Sequence, residues 1–247
     1  MRILYIPNHN KETYIDTFFK TRYPESLIEK KPELIIVSGG DGSLLHAIQD
    51  YKYLKVPFFG IAAGTKNFLM NNIEIEDIQK IFKRKFNIIK ASTLKVSVNR
   101  ICSNNTKNII FESSVTNDIV LGGEIMDFNT FDIQNKIIKS MGLVISTPLG
   151  STAFHYNNCG KIIKNIDSNK IGVATIVSDR SQKINKIINL KKNIEIKVLS
   201  ERSIVSLFID GTTKIFKLKY GDIIEIKRNE PIELCIIDKK GFEKKRK

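Results

Sequence analysis

Residues Glu33-Leu34-Ile35-Ile36-Val37-Ser38 form an apolar run that ends in Gly39-Gly40-Asp41-Gly42-Ser43, and Leu44, Leu45 and Ile48 then recur at helical spacing. A strand that breaks on glycines and restarts as a helix is the building unit of an α/β layer. In open α/β sheets, ligands bind where such strands end. Glycine there lets backbone approach a phosphate, and the free N–H groups of the helix start favour anions. An aspartate in the same turn would repel phosphate, so its presence needs a reason. Asp41 can accept a proton from an attacking hydroxyl or help hold Mg²⁺. The plainer alternative is a tight turn with an aspartate as helix cap.

The remainder of the first third repeats the alternation. Residues 2–7 and Phe58-Phe59-Gly60-Ile61-Ala62 read as strands, and Ile75, Ile78, Ile81 and Phe82 give one apolar face to a helix ending near Arg84. This predicts an α/β domain with a mostly parallel sheet over residues 1–88. Near residue 88 the pattern changes to short or period-two apolar runs, among them 94–98, 108–111, 128–133, 194–198, 204–209 and 223–226. Turn signals such as Asp210-Gly211 and Gly221-Asp222 separate them. A β-rich, all-β second domain is expected over 89–237, followed by a basic tail, 238–247, expected as a solvated end.

Composition excludes several classes. No apolar stretch reaches the roughly 18 residues that a membrane helix needs, and the short apolar N-terminus lacks the small-residue cleavage site of a secretory signal. Cys102, Cys159 and Cys235 are odd in number and far apart, and His9, His46 and His155 are scattered. Neither a disulfide framework nor a zinc site is expected, and the cytoplasm is the natural compartment. The net charge of +14 comes from lysines dispersed through the chain, with no DNA- or RNA-binding motif. The basic balance is therefore read as compositional bias, with no nucleic-acid or membrane partner.

Two further segments carry polar chemistry. Ser146-Thr147-Pro148-Leu149-Gly150-Ser151-Thr152-Ala153-Phe154 follows the strand Leu143-Val144-Ile145 and places hydroxyls beside an aromatic face. Asn117-Asp118 precedes an apolar run, and an amide beside a carboxylate can read a base edge and a pair of ribose hydroxyls. Each alone is also ordinary loop or turn chemistry.

Taken in order, Gly39 to Gly42, Gly64-Thr65-Lys66-Asn67-Phe68-Leu69, Asn117-Asp118, Ser146 to Phe154 and Asp210-Gly211 resemble the NAD kinase family from about residue 33 to residue 230. The resemblance implies phosphorylation of the adenosine 2′-hydroxyl of NAD by ATP or polyphosphate, with Mg²⁺ or another divalent cation accompanying ATP. It implies Asp41 as the catalytic group and Gly39 and Gly40 as the phosphate loop. Substrate would be bound by Gly42, Phe68, Asn117, Asp118, Lys139, Thr152, Ala153, Phe154, His155, Tyr156, Asn157 and Thr212. It also implies a homo-oligomer whose substrate site is completed by a neighbour. No residue is expected as a metal ligand from a His or Cys cluster.

The chain departs from the family at named places. Ser140-Met141-Gly142 stands where Gly-Asp-Gly is usual, which removes a carboxylate expected near the substrate. Phe154 replaces a tyrosine, and Ala62, Lys66 and Asn67 alter the loop after the third strand. The glycine loop is shared with lipid kinases of the diacylglycerol or sphingosine type, but those lack the segment 146–154. A non-catalytic NAD(P)-binding protein is the other alternative, and the retained Asp41 argues against it.

Overall fold

The computed structural model describes residues 1–8, 13–27, 30–63, 67–101, 106–123, 127–201, 203–211 and 215–246. Its elements are β1 (Ile3–Ile6), α1 (Tyr14–Arg22), β2 (Leu34–Gly39), α2 (Asp41–Tyr51), β3 (Phe58–Ala62), α3 (Ile75–Phe82), β4 (Asn87–Ile101), β5 (Lys107–Val115), β6 (Asp118–Gly123), β7 (Asn129–Ile133) and β8 (Lys136–Ser146). After these come α4 (Phe154–Asn157), β9 (Lys170–Ser178), β10 (Asn185–Asn189), β11 (Ile194–Val198), β12 (Val205–Ile209), β13 (Ile215–Leu218), β14 (Ile223–Ile236) and α5 (Lys239–Lys245). The chain divides into two compact units, one of Met1–Ala91 with Ile232–Lys247, the other of Ser92–Pro231.

In the first unit β1, β2 and β3 pair in parallel, and Leu234 of β14 adds a parallel contact to Phe58. Every residue of β2 is buried, as a central parallel strand covered on both faces requires. Its core gathers Ile3, Phe19, Leu34, Ile36, Phe59, Ile61, Ile78, Ile81 and Cys235. Helix α1 is absent from the sequence reading because its apolar spacing is weak. Its signal is local: Thr13 Oγ1 accepts from Asp16 N at 3.2 Å, and the Asp16 carboxylate accepts from Thr13 N at 2.6 Å. That is a capping box, and it fixes the helix start without a long apolar stripe.

The basic tail does not behave as the sequence reading expects. Residues 239–245 are helical, Asp238 caps them by accepting from Gly241 N at 3.0 Å, and Phe242 is buried. Residues 232–246 belong to the first unit because Asn71 ties them there. Its Nδ2 donates to Gly60 O and Cys235 O at 3.0 and 2.9 Å, and its Oδ1 accepts from Ile237 N at 2.9 Å.

The second unit is an antiparallel assembly in which β11, β7, β8, β6, β12 and β13 are successive neighbours, with β9 on β8 and β10 on β9. Segment 171–190, without a counterpart in the sequence pattern, folds as the β9–β10 hairpin. Its core is formed by alternating inward residues such as Leu121, Phe131, Leu143, Ile145, Ile196, Leu207 and Ile224.

Asp222 is fully buried in this unit, where Arg100 Nε and a terminal guanidinium nitrogen each donate to it at 2.7 Å. Two parallel bonds of this kind are the strong geometry for a buried carboxylate. Arg100→Met leaves that charge buried and unpaired, so a loss of about 3 kcal/mol is expected. Urea unfolding should show a lower midpoint at unchanged slope; an unshifted midpoint would mean that the carboxylate finds other partners.

Candidate active site

The first unit presents the glycine turn. Gly39 has φ +151°, and a Cβ there would stand 2.5 Å from Ser43 Oγ, so only glycine ends the strand this way. Gly40 is the N-cap of α2 and no side chain caps the helix. The plain capping role for Asp41 is therefore not the one observed. As the first helical residue, Asp41 turns its carboxylate away from α2, and the two oxygens accept from Phe68 N at 2.9 Å and Leu69 N at 3.0 Å. Nothing lies within 4 Å of the points where Gly40 and Gly42 would carry a Cβ. The turn is thus open ground beside a helix N-terminus.

Burial pushes the Asp41 carboxyl above its ordinary range, while the Leu69 and Phe68 N–H groups and the charges of Lys245 and Arg246 pull it back. Phe68 meets Asp41 through its backbone. Gly64, Thr65 and Lys66 lie outside the described residues.

The second unit assembles the other motifs by strand register. Asp118 opens β6 directly opposite Ser146, which closes β8, and Ile119 pairs with Ile209 at the end of β12. Three motifs far apart in sequence therefore meet at one sheet end. Asp210 locks them: its carboxylate accepts from Thr116 N, Asn117 N and Asp118 N at 2.9, 2.6 and 3.1 Å. Thr147 Oγ1 donates to Thr116 O and accepts from Gly150 N, at 2.7 and 3.0 Å. A Cβ on Gly150 would stand 2.1 Å from Asn117 O, so the glycine is what permits this approach.

On that frame Asn117 Nδ2 reaches Asp118 Oδ2 at 3.3 Å. Asp118 is buried, and burial together with the negative Asp210 raises its carboxyl to about 7. Phe154 and Tyr156 hold their rings outward, 44% and 52% exposed. Thr152 and Ala153 are partly exposed beside them, and Asn157 is exposed.

His155 does not join this surface. Its ring is fully buried against Gly160 and Gly172, at each of which a Cβ would come within 2.5 Å of it. Burial lowers its pKa, opposed by the Ser151 backbone. It is a packing residue, neutral at physiological pH, rather than a substrate contact. Lys139 is exposed and seven residues along β8 from Ser146, about 23 Å of extended strand. Within one chain it is not brought to Asn117 and Asp118. Thr212 lies outside the described residues.

Sequence reading named Asp210 only as part of a motif and Thr147 only within a string of hydroxyls. Their work as backbone clamps shows only once the strands are paired. Arg246, beside Asp41, was missed altogether, since a lysine-rich terminus gives no signal of burial.

The raised Asp118 has a measurable consequence. Unfolded, this carboxyl ionises near its ordinary 3.8; folded, it does so near 7. Between those values the unfolded chain sheds the proton first, so the stability that Asp118 contributes is complete below about pH 4 and is lost as pH rises to 7. Asp118→Asn cannot ionise. Its melting temperature relative to wild type should climb from pH 4.5 to 7 and then level, and a difference flat across that range would refute the shift.

The chain matches a family model described as the ATP-NAD kinase N-terminal domain over residues 4–88, and one described as the ATP-NAD kinase C-terminal domain over residues 116–233. A NAD kinase of Rickettsia africae (strain ESF-5) is 30% identical over 190 residues, 74% of this chain and 71% of that protein. A NAD kinase of Clostridium perfringens (strain 13 / Type A) is 26% identical over 243 residues, covering 95% and 85%. Among solved structures, yeast NADH kinase complexed with NADH is similar at a TM-score of 0.78 and 18% identity, covering 99% of this chain and 86% of that one. A NAD kinase from Archaeoglobus fulgidus in complex with ATP gives a TM-score of 0.73 at 18% identity, covering 99% and 96%. At that identity the two structures establish likeness of fold.

Proposed function

Because the chain belongs to the NAD kinase family, we propose that its two units divide the phosphorylation of NAD between them, the first handling the phosphates and the reacting proton, the second reading the dinucleotide. The reaction moves a phosphoryl group from ATP, or from polyphosphate, to the adenosine 2′-hydroxyl of NAD and yields NADP.

The reading rests on one observation above others: the Asp41 carboxylate is held by two backbone N–H groups beside an open glycine turn, and is not used as a cap. Two N–H bonds fix its direction and leave lone pairs for a third donor. The 2′-hydroxyl is that donor. Asp41 takes its proton as the oxygen attacks the terminal phosphorus in line with the departing phosphate. Gly39, Gly40 and Gly42 leave the backbone of the turn bare for the phosphates, and the N-terminus of α2 favours their charge. No bond forms between enzyme and phosphorus.

On the second unit Asn117 and Asp118 meet the adenine edge and the ribose hydroxyls. Phe154 offers its face to a flat ring, with Tyr156, Thr152, Ala153 and Asn157 around it. Lys139 and Thr212 complete the set by resemblance alone. The position of Lys139 along β8 favours its serving the site of a second copy, which fits a homo-oligomer; size-exclusion chromatography with light scattering tests that state.

The described residues do not fit a protein-held cation. No group of three or more His, Cys, Asp or Glu side chains is gathered among them, and both Asp41 oxygens already accept N–H bonds. A divalent ion is therefore assigned to the triphosphate that brings it. The free thiols of Cys159 and Cys235 suit a reducing compartment such as the cytoplasm. Among the described residues no helix is long and apolar enough to cross a membrane.

Incubation with NAD, ATP and Mg²⁺, followed by an NADP-specific dehydrogenase assay, tests the activity. Asp41→Asn tests the mechanism. It should lower turnover by roughly 10²–10⁴-fold and leave the affinity for NAD nearly unchanged, because a base matters most in the transition state. Its amide must face one N–H with another N–H, so a stability loss of about 1–3 kcal/mol is also expected. Near-normal NADP formation by a folded Asp41→Asn protein would remove Asp41 from the chemistry.

Asn117→Ala should instead act on binding. Losing a hydrogen bond whose partner stays buried costs roughly 1–3 kcal/mol, so KM for NAD should rise with turnover little changed. Titration calorimetry with NAD gives an independent reading, and unaltered affinity would place Asn117 outside the site.

A further inference from the structure

Arg246 is the largest fully buried side chain of the chain, at the C-terminal cap of α5. An arginine is seldom buried completely unless an opposite charge meets it. Burial lowers its pKa to about 10, and the negative charge that opposes this is Asp41. The guanidinium therefore remains charged at neutral pH. The preceding residue reaches the same place by another route, since Lys245 Nζ donates to Met70 O at 3.2 Å. Met70 directly follows Phe68 and Leu69, whose N–H groups hold the Asp41 carboxylate.

The helix that delivers these cations is itself fixed within the first unit. Phe242 is buried beneath it, Asp238 caps its start, and Asn71 ties Ile237 and Cys235 to Gly60 of β3. One rigid path thus runs from β3 through Asn71 and α5 to Arg246 and Asp41. The position has a chemical purpose. A carboxylate that must stand beside the phosphates of ATP is repelled by them, and a fixed positive charge at its back offsets that repulsion without being free to wander.

We propose that Arg246 is a positioning residue for the phosphoryl transfer, acting through Asp41: with Lys245 it seats the C-terminal helix against the 68–70 loop and holds the carboxylate, aligned and charged, toward the hydroxyl it deprotonates. This rests on the assignment of Asp41 as the base, and the test separates the two.

The test is a double-mutant cycle in the full-length chain, with NADP formation measured per folded molecule. Arg246→Met keeps the length of the side chain and removes the charge. It should lower kcat by about 10²-fold, with KM for NAD within about threefold of wild type. Arg246→Lys should recover most of that loss. Combined with Asp41→Asn, the Arg246→Met change should cost less than about twofold more, because the group it acts through has already been disabled.

A kcat near wild type in Arg246→Met overturns the proposal, as does an undiminished penalty in the presence of Asp41→Asn. A purely structural arginine would lower the melting temperature and leave kcat per folded molecule unchanged, which also overturns it. If Asp41→Asn alone forms NADP at a near-normal rate, the failure lies with the assignment of Asp41. Should Arg246→Met not fold, Arg246→Gln is read in the same way, and failure of both to fold would show the residue to be structural.

Discussion

The recognition end of the second unit depends on one buried carboxylate. Asp210 draws the N–H groups of Thr116, Asn117 and Asp118 onto itself, and those three residues are the turn from which Asn117 and Asp118 are displayed. A turn at the end of a sheet has backbone donors with no ladder partner, and each must be satisfied somewhere. Supplying a single anion for all of them fixes the turn and leaves the Asn117 side chain free for other work. The same anion lies close enough to Asp118 to hinder its ionisation. The device that orders the site therefore also tunes it.

Carboxylates are used as backbone clamps throughout this chain. Asp16 fixes the start of α1 and also accepts from Tyr5 Oη at 2.6 Å. Asp222 holds Lys219 N while paired with Arg100. Asp41 belongs to the same class, with a difference: it grips a loop from the first turn of a helix whose glycines leave it partly open to solvent. A clamp whose remaining lone pairs face open ground is equipped to accept a proton, whereas a clamp closed on every side is only structural. Basic residues divide in a similar way. Most lysines are dispersed on the surface, but Lys245 and Arg246 are directed inward by a helix that Phe242 anchors.

The departures from the family pattern can be sorted by what the backbone demands. Gly142 cannot change, because a Cβ there would stand 2.3 Å from Leu121 O across β6 and β8. Its neighbour Met141 has no such constraint on its side chain; its carbonyl accepts from Asn129 Nδ2 at 3.1 Å, a bond that any residue could provide. Position 141 was therefore free to lose the carboxylate while the sheet stayed intact. Phe154 follows the same logic: its exposed ring keeps the flat face, and no hydrogen bond within the unit calls for a hydroxyl.

By itself the sequence determined the α/β character of the first domain, the change to strands near residue 88, and the glycine turn with Asp41, because these are written in local periodicity and in residues that only certain backbones accept. Strands 58–62 and 194–198 were legible for the same reason. Family resemblance added which segments act together. Tertiary structure alone decided that Asp41 clamps a loop instead of capping its helix, that His155 packs inward, that Asp210 orders Asn117 and Asp118, and that the basic tail returns to place Arg246 beside the reacting carboxylate. Each of these is a long-range pairing between residues tens to hundreds of positions apart. Such pairings depend on register and burial, which arise only when strands are laid side by side.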